Sequence, residues 1–293
     1  MAEPKTARGK SPTQLAIRRL KKNRLALGGL AVVFVVIVLG LLPGVFSPHD
    51  ENFQNKTNEA FQVAPLANPD HLLGTDHLGR DVLSRLIHGA GISLRVGVMG
   101  TAVAMFIGVL MGAIAGYFGG FADWLISRLT DTFFAFPSLL LTIGVLAIYP
   151  KPNEVVIFGA LGFVGWPGVA RIVRGQVISL RGSEYVLAAE ALGQSSPKIL
   201  LRHLLPNCMG PIIVVGTLMI AGNILAEAGL SFLGIGLPPP APSWGRMLVE
   251  SKELWTEMPW MGVLPGLAIS ITVLGFNLFG DGLRDAFDPK MRA

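Results

Sequence analysis

The chain has 293 residues, of which 51% are hydrophobic and 15% charged, and its mean hydropathy is +0.56. Soluble domains average about 25% charged residues, so this composition excludes an ordinary soluble protein. The net charge of +5 does not indicate a nucleic-acid partner, because the basic residues lie mainly at the ends of apolar runs. The single cysteine, Cys208, excludes an internal disulfide framework.

Residues 1–24 form a basic segment, and an apolar run from Leu25 to Leu42 follows it. A signal peptide has the same order of features. The run is longer than a typical signal-peptide core, and residues 43–46 lack a small-x-small cleavage pattern. We therefore expect an uncleaved first membrane helix.

The sequence predicts an all-α membrane protein with one transmembrane domain, residues 25–280, because several runs reach the roughly 20 apolar residues that cross a bilayer. If the N-terminus is cytoplasmic, 17 Lys and Arg residues lie inside and seven outside. This bias predicts that both termini, including the tail 281–293, are cytoplasmic. It also predicts an external loop at 47–92 and a cytoplasmic segment at 174–207. The six predicted spans are 25–46, 93–118, 130–149, 155–173, 209–235 and 261–280.

The predicted external loop is rich in Pro and Asn and shows no helical period until residues 80–88, whose amphipathic stripe favours a helix at the water–lipid boundary. Four of its residues are of types that bind metals. Such loop residues are more often solvated, and we expect no metal site there. The four are Asp70, His71, Asp76 and His77.

Small residues and prolines interrupt the apolar spans. In the second span a small residue recurs at every fourth position from Gly100 to Gly116, which predicts close approach of a neighbouring helix. Pro137, Pro167 and Pro265 are expected to kink or end their helices. Gly and Pro are also commoner in membrane helices generally, so the pattern alone does not establish a moving bundle.

The polar segment 174–207 carries its own helix signals. Ser183 can cap a helix that starts at Glu184, and Gly193 is suited to the position after its end. Ser196 can cap a second helix, which Pro206 would end. Isolated helices this short are marginal in water, so they need a packing surface. That surface is either the bundle itself or a partner.

Glu227 is the only ionisable residue inside the fifth apolar run. Ionisable residues within membrane spans mark functional sites by default. It lies 19 residues after Cys208, at about 1.5 Å per residue, which places it near the outer boundary. A role in lining a transport pathway and simple solvation at the helix end are both consistent with this position.

The 184–207 stretch resembles the cytoplasmic loop of permease subunits of binding-protein-dependent ABC importers. Aligned on Gly193, the chain matches that loop at both alanines of Leu187-Ala188-Ala189 and at the Leu-Pro of His203-Leu204-Leu205-Pro206. Leu187 and His203 stand where the general pattern has Glu and Ile. These departures are typical of the dipeptide/oligopeptide/nickel branch.

Three further segments resemble the same branch, so the likeness covers nearly the whole chain beyond the basic tail. Gly91 departs from the branch, which usually has Arg at that position. The segments are Gly74-Thr75-Asp76-His77-Leu78-Gly79-Arg80-Asp81-Val82-Leu83-Ser84-Arg85, Glu227–Gly234 with Pro238–Pro240 and Ser243-Trp244-Gly245, and Gly280–Asp285 with Asp288-Pro289.

The resemblance implies a type I ABC importer permease-like bundle in the bacterial cytoplasmic (inner) membrane. The subunit would have no catalytic residues and no cofactor, and ATP and Mg would bind to partner subunits. Those partners would be a second homologous permease, two ATP-binding subunits and an external solute-binding protein, with lipid around the bundle. The implied cargo is di- or oligopeptides, with nickel or another small solute as the alternative.

In this family the cytoplasmic loop holds a coupling helix that docks on the ATP-binding subunit. The residues implied to make this contact are Glu184, Tyr185, Ala188, Ala189, Glu190, Gly193, Gln194 and Ser195. Gly9-Lys10-Ser11 resembles the end of a phosphate-binding loop, but Pro4 stands where that motif needs glycine. We therefore expect no ATP site in this chain.

Two other classes of protein were considered. An ion-driven secondary transporter predicts inverted repeats and several carboxylates near the midplane, whereas only Glu227 is a candidate. A structural membrane protein would not need a doubly capped helical segment between its spans.

Overall fold

The computed structural model of the protein describes residues 12–54 and 61–287, and within these ranges it is helical, without β-strands. Gly9-Lys10-Ser11 and Asp288-Pro289 lie outside the described residues. The helices are α1 (Pro12–Leu20), α2 (Arg24–Leu41), α3 (Pro43–Phe46), α4 (Val82–Phe118), α5 (Gly120–Phe134), α6 (Ser138–Leu146), α7 (Glu154–Arg181), α8 (Glu184–Ala191), α9 (Ser196–Ile199), α10 (Leu205–Phe232), α11 (Trp244–Ser251) and α12 (Trp260–Phe287).

Side-chain caps set the starts of four helices, each by accepting a hydrogen bond from the backbone N–H three residues on. In the shortest of these bonds, Asp81 Oδ2 accepts from Ser84 N at 2.7 Å. The four capping residues are Asn23 (α2), Asp81 (α4), Asn153 (α7) and Ser243 (α11).

Two predicted spans are broken in the structure. The first ends at Leu41, and Pro43 starts the short α3. The third consists of α5 and α6, which meet at 89° around Pro137. This break confirms the effect predicted for Pro137, because the proline ring fixes φ and removes a backbone donor. Pro167 and Pro265 lie inside α7 and α12, which continue past them.

The second span starts earlier than predicted. Helix α4 begins at Val82, and the stripe predicted to lie at the water–lipid boundary forms its first turns. That prediction was wrong, because the polar side chains of Arg80, Asp81, Ser84 and Arg85 are all buried within the protein.

The fifth span also extends further than predicted. Residues 200–204 form a π-helical turn that joins α9 to α10, so one helical stretch runs from Ser196 to Phe232. Pro206 does not end this stretch, which continues through it directly after the π-helical turn.

The closest helix pair is α4 and α7, which run parallel. A Cβ atom at Gly100, Gly108 or Gly116 would contact Leu161, Val169 or Val177, respectively, so the contacts advance in the same direction on both helices. The small-residue stripe thus lies against α7, as expected for close helix approach in a membrane.

Parallel packing resolves the number of crossings. Within residues 12–54 and 61–287, five helices are long and apolar enough to span a bilayer, and α5 with α6 gives a sixth only if the bent pair is one span. The start of α7 lies beside the first half of α4, where Arg95 and Glu154 pair at 2.9 Å. The end of α7 lies beside the end of α4, where Arg181 donates a hydrogen bond to the Tyr117 carbonyl. The chain between α4 and α7 must therefore return across the membrane, so α5 and α6 form one bent span.

The remaining spans alternate in direction. Gly210 of α10 lies beside Phe287 and Gly280 beside Leu218, so α10 and α12 are antiparallel. Gly282 of α12 lies against Leu20 at the end of α1 and Ala26 at the start of α2. Helix α1, the start of α2, helix α8 and the end of α12 consequently share one end of the bundle, here called the α8 end. The start of α4 and helix α11 lie at the opposite end.

A buried ionic cluster joins the 61–81 segment to α11 at the opposite end. Arg80 Nε donates to Asp76 Oδ2 at 2.6 Å, while Arg80 Nη2 and Arg85 Nη2 both donate to Glu250 Oε2, at 2.9 and 2.8 Å. The Arg85 side chain is only 1% exposed. Asp81, which caps α4, pairs with His71, whereas Arg85 pairs with Glu250.

Replacing Gly112 with alanine should destabilise the bundle by about 1–3 kcal/mol, because the new Cβ would lie 2.5 Å from the Ala170 carbonyl oxygen and push α7 away. Thermal unfolding of the purified protein in detergent measures the effect. Gly168→Ala is the matched control, since nothing lies within 4 Å of its added Cβ. Equal melting temperatures for the two variants would contradict the α4–α7 packing.

Glu250→Gln should lower the free energy of unfolding by about 3–5 kcal/mol, because it removes a carboxylate that pairs with the buried guanidinium groups of Arg80 and Arg85. The 61–81 segment should become more sensitive to limited proteolysis. Glu253→Gln, at an exposed position in the next turn, should leave stability and proteolysis unchanged. A Glu250→Gln protein as resistant as the parent would show that the cluster does not anchor the segment.

Candidate functional site

Helix α8 is a short helix outside the membrane spans, and one of its faces packs against α7 and the start of α10. Val186 and Ala189 are buried at 0% and 4% exposure, in a cluster with Val177 of α7 and with Ile199 and Cys208. Burying these two side chains gives α8 the packing surface that a free helix of eight residues lacks.

The other face of α8 is open and largely apolar. Tyr185, Leu187 and Leu192 are 42%, 52% and 80% exposed, and Ala188 between them is also exposed. Glu184 and Glu190 add two exposed carboxylates, and Glu190 accepts a hydrogen bond from the Tyr117 hydroxyl at 3.2 Å. This surface offers apolar contact area with acidic groups beside it.

A Schellman turn fixes the corner after α8. Gly193 has φ of +72°, a conformation that glycine adopts without strain. Gly193 N donates to the Glu190 carbonyl and Gln194 N donates to the Ala189 carbonyl, at 2.9 and 3.1 Å. The Gln194 side chain bonds to His203 at 3.0 Å. The corner therefore holds α8 in a defined position relative to the helix that leads into α10.

The capping residues differ in part from those predicted. Ser183 precedes α8 as expected, but its hydroxyl donates to the Leu180 carbonyl instead of accepting from the helix. Ser195, and not Ser196, precedes α9. Neither serine hydroxyl caps its helix, so packing and the glycine turn define the segment instead.

The structure sorts the predicted contact residues into two groups. Ala189 points inward and Gln194 is half-buried, so they position the helix. The other six are exposed: Glu184, Tyr185, Ala188, Glu190, Gly193 and Ser195. Leu187 and Leu192 are also exposed, and the sequence did not single them out because apolar residues lie on all sides of α8 and the pattern does not distinguish them from Val186.

Glu227 lies within the protein near the end of α10. Its side chain is 0% exposed, and its Oε1 accepts from the hydroxyls of Ser231 and Ser243, at 2.8 and 2.9 Å. The alternative that Glu227 is simply solvated at the helix end is therefore wrong. A role in the pathway stays a prediction, and it requires Ser243, at the start of α11, to move away.

The four loop residues considered as metal ligands are dispersed. His71 and Asp76 are buried, contrary to the expected solvation, and Asp70 is exposed. Asp76 bonds to Arg80, whereas His71 bonds to Asp81. His71 therefore belongs to a different cluster from Asp76.

Comparison with known proteins matches two families to this chain. Residues 108–293 match the binding-protein-dependent transport system inner membrane component. Residues 11–69 match the N-terminal transmembrane domain of oligopeptide transport permease C. Together these matches include α8, the small-residue stripe from Gly108 onward, and the first span.

Curated relatives agree over almost the full length. The dipeptide transport system permease protein DppC of Alkalihalophilus pseudofirmus is 42% identical, covering 97% of this chain and 91% of the relative. The oligopeptide transport system permease protein OppC of Bacillus subtilis is 41% identical, covering 94% and 89%. The glutathione transport system permease protein GsiD of Pectobacterium atrosepticum is 39% identical, covering 94% and 90%.

A solved chain of the MetNI methionine ABC transporter, in an inward facing conformation, has the same fold. It aligns with a TM-score of 0.54 at 18% identity, over 70% of this chain and 96% of that chain. This protein therefore belongs to the family of inner membrane components of binding-protein-dependent transport systems, as a multi-pass membrane protein with the fold of a type I ABC importer permease.

Proposed function

We propose that this chain is a membrane subunit of an ATP-driven importer of di- or oligopeptides, moved through α8 by an ATP-binding subunit. The observation that carries the proposal is α8 itself, a helix anchored by Val186 and Ala189 that leaves Tyr185, Leu187 and Leu192 exposed on the surface of the protein. Such an apolar face outside the spans suits a partner's groove.

The attachment of α8 suits the transmission of force. It follows α7 after two residues, and the Gly193 corner joins it to the continuous helix Ser196–Phe232. The Glu190–Tyr117 and Arg181–Tyr117 hydrogen bonds connect it to the end of α4. A load applied to α8 would thus reach three spans.

The remaining parts follow from the family. A second, homologous permease would complete the transport pathway, because six helices alone are few for a peptide-sized path. Two ATP-binding subunits would hold ATP and Mg at the α8 end, and an external solute-binding protein would deliver the cargo. Peptides are favoured over nickel, since the relatives include dipeptide and oligopeptide permeases. The chain itself would carry no catalytic residue.

The proposal places the α8 end in the cytoplasm. The bias of 17 against seven basic residues supports this orientation. The start of α2 and the end of α12 lie at the same end of the bundle as α8. If any one of these three is on the cytoplasmic side of the membrane, the other two are also on that side.

Leu192→Asp should reduce co-isolation of the ATP-binding subunit and peptide-stimulated ATP hydrolysis at least about tenfold, because a carboxylate in an apolar contact costs more than about 1.4 kcal/mol. Leu72→Asp is the control, since Leu72 is 52% exposed at the opposite end. It should leave the assembly intact. Normal co-isolation and ATP hydrolysis with Leu192→Asp would reject α8 as the contact.

Cysteine labelling tests the orientation, and the buried Cys208 leaves a low background. In intact spheroplasts a membrane-impermeant maleimide should label Leu72→Cys and not Ser195→Cys. In inside-out vesicles the result should reverse. Labelling of Ser195→Cys from outside would overturn the cytoplasmic position of α8.

A further inference from the structure

Three residues from separate segments meet at the end of the bundle opposite α8. His49 follows α3, His71 belongs to the 61–81 segment, and Asp81 immediately precedes α4. One ligand atom from each lies within 4.8 Å of those of the other two. The two imidazole rings face each other at a tilt of 31°, with centroids 5.0 Å apart.

The polar atoms of this cluster are unevenly satisfied. Asp81 Oδ2 accepts from the backbone and the hydroxyl of Ser84, at 2.7 and 2.6 Å, which fixes the carboxylate. Its Oδ1 bonds to His71 Nδ1 at 3.0 Å. His49 Nδ1 is buried, and none of the described residues offers it a hydrogen bond. A buried ring nitrogen without a partner needs an explanation.

The surrounding charges permit a cation. The nearest basic residues in sequence, Arg80 and Arg85, direct their guanidinium groups to Asp76 and Glu250. The cluster thus keeps one carboxylate and two imidazoles that are not bonded to these guanidinium groups. Two histidines and one carboxylate are a ligand set that zinc uses in proteins, with a fourth position open to water.

We propose that His49, His71 and Asp81 form a binding site for a divalent transition ion of the zinc type. Zinc–ligand bonds of about 2.0–2.2 Å require the three ligand atoms to draw closer than they lie here, which rotation of the His49 ring can provide. The ion takes the place of the hydrogen bond between His71 Nδ1 and Asp81 Oδ1. A neutral His71 ring then carries its proton on Nε2, whereas a protonated ring would release one proton to solvent. Ser84 then serves as the outer partner that orients the carboxylate.

The expected consequence is a further link between three segments that hydrogen bonds already connect, since His49 N donates to Ser84 Oγ and His71 bonds to Asp81. The ion would fix the chain after α3 and the 61–81 segment to the first turn of α4. This inference does not depend on the cargo or on the docking of α8. It departs from the sequence prediction, which considered His71 only with Asp70, Asp76 and His77 and expected no metal site in this loop.

The competing explanation is that His71 and Asp81 form a plain hydrogen-bonded cap and that His49 only stacks on its neighbours. His49 also lies parallel to Phe53, with ring centroids 5.7 Å apart. The two explanations differ at His49, whose imidazole is dispensable to a cap but essential to a three-ligand site.

The test is zinc binding to the purified full-length protein in detergent, after treatment with a chelator and titration with zinc chloride. Bound metal is counted by elemental analysis after gel filtration, and X-ray absorption reports the ligands. The parent should bind one zinc ion with two imidazole ligands and gain thermal stability. His49→Ala should weaken zinc binding by at least roughly 10–100-fold, which is the loss caused by removing a residue that only hydrogen-bonds to a metal ligand.

His88→Ala is the matched control, because His88 lies on α4 and bonds to the Ser84 carbonyl outside the cluster. It should bind zinc like the parent. His49→Gln guards against misfolding, since it keeps a similar volume, and it should also lose zinc while retaining the parent melting temperature without metal. Absence of stoichiometric zinc in the parent, or equal affinity in His49→Ala, would overturn the site.

Discussion

The close, parallel contact of α4 with α7 is the constraint on which the rest of the architecture depends. Within a bilayer, lipid tails are as apolar as the helices, so helices associate through close packing and not through the hydrophobic effect. Gly108 and Gly112 allow this packing because any side chain there would meet α7 backbone. Once α4 and α7 are parallel, the chain between them must cross the membrane, and α8 must emerge where α4 ends.

The two ends of the bundle are stabilised by different forces. At the opposite end, buried charges around Glu250 and a buried tryptophan, Trp244, join α11 to the start of α4. At the α8 end, two small side chains, Val186 and Ala189, hold the helix, and its other face stays open. Charged contacts of this kind are costly to rearrange, whereas an apolar face can exchange one partner for another.

The sequence predicted the helical class, the spans and the Gly193 corner, because each rests on a local cause. Apolar length gives a span, Pro137 breaks a helix, and a glycine permits positive φ. Tertiary contacts decided what the sequence did not predict. The polar stripe at 80–88 has the pattern of a surface helix, but its charges are neutralised by Glu250, about 165 residues away in the chain.

The same limit applies to the candidate sites. Leu187 and Val186 are adjacent apolar residues of α8, and only the position of α7 shows which of them faces water. Glu227 was placed near the outer boundary by counting residues, but the Ser243 hydroxyl that covers it comes from a loop whose path no local pattern indicates. His49 carried no motif, and folding alone brings it to His71.

The unbroken helix from Ser196 to Phe232 has a mechanical consequence. With 37 residues it is about 55 Å long, and a tilt of about 5° around one end moves the other by about 5 Å. Glu227 lies near the far tip of this rod, held by hydroxyl contacts of 2.8 and 2.9 Å. The contact to Ser243 tolerates far less displacement than that. A tilt that starts at the Gly193 corner would therefore also shift Glu227 relative to Ser243 of α11, at the far end of the bundle.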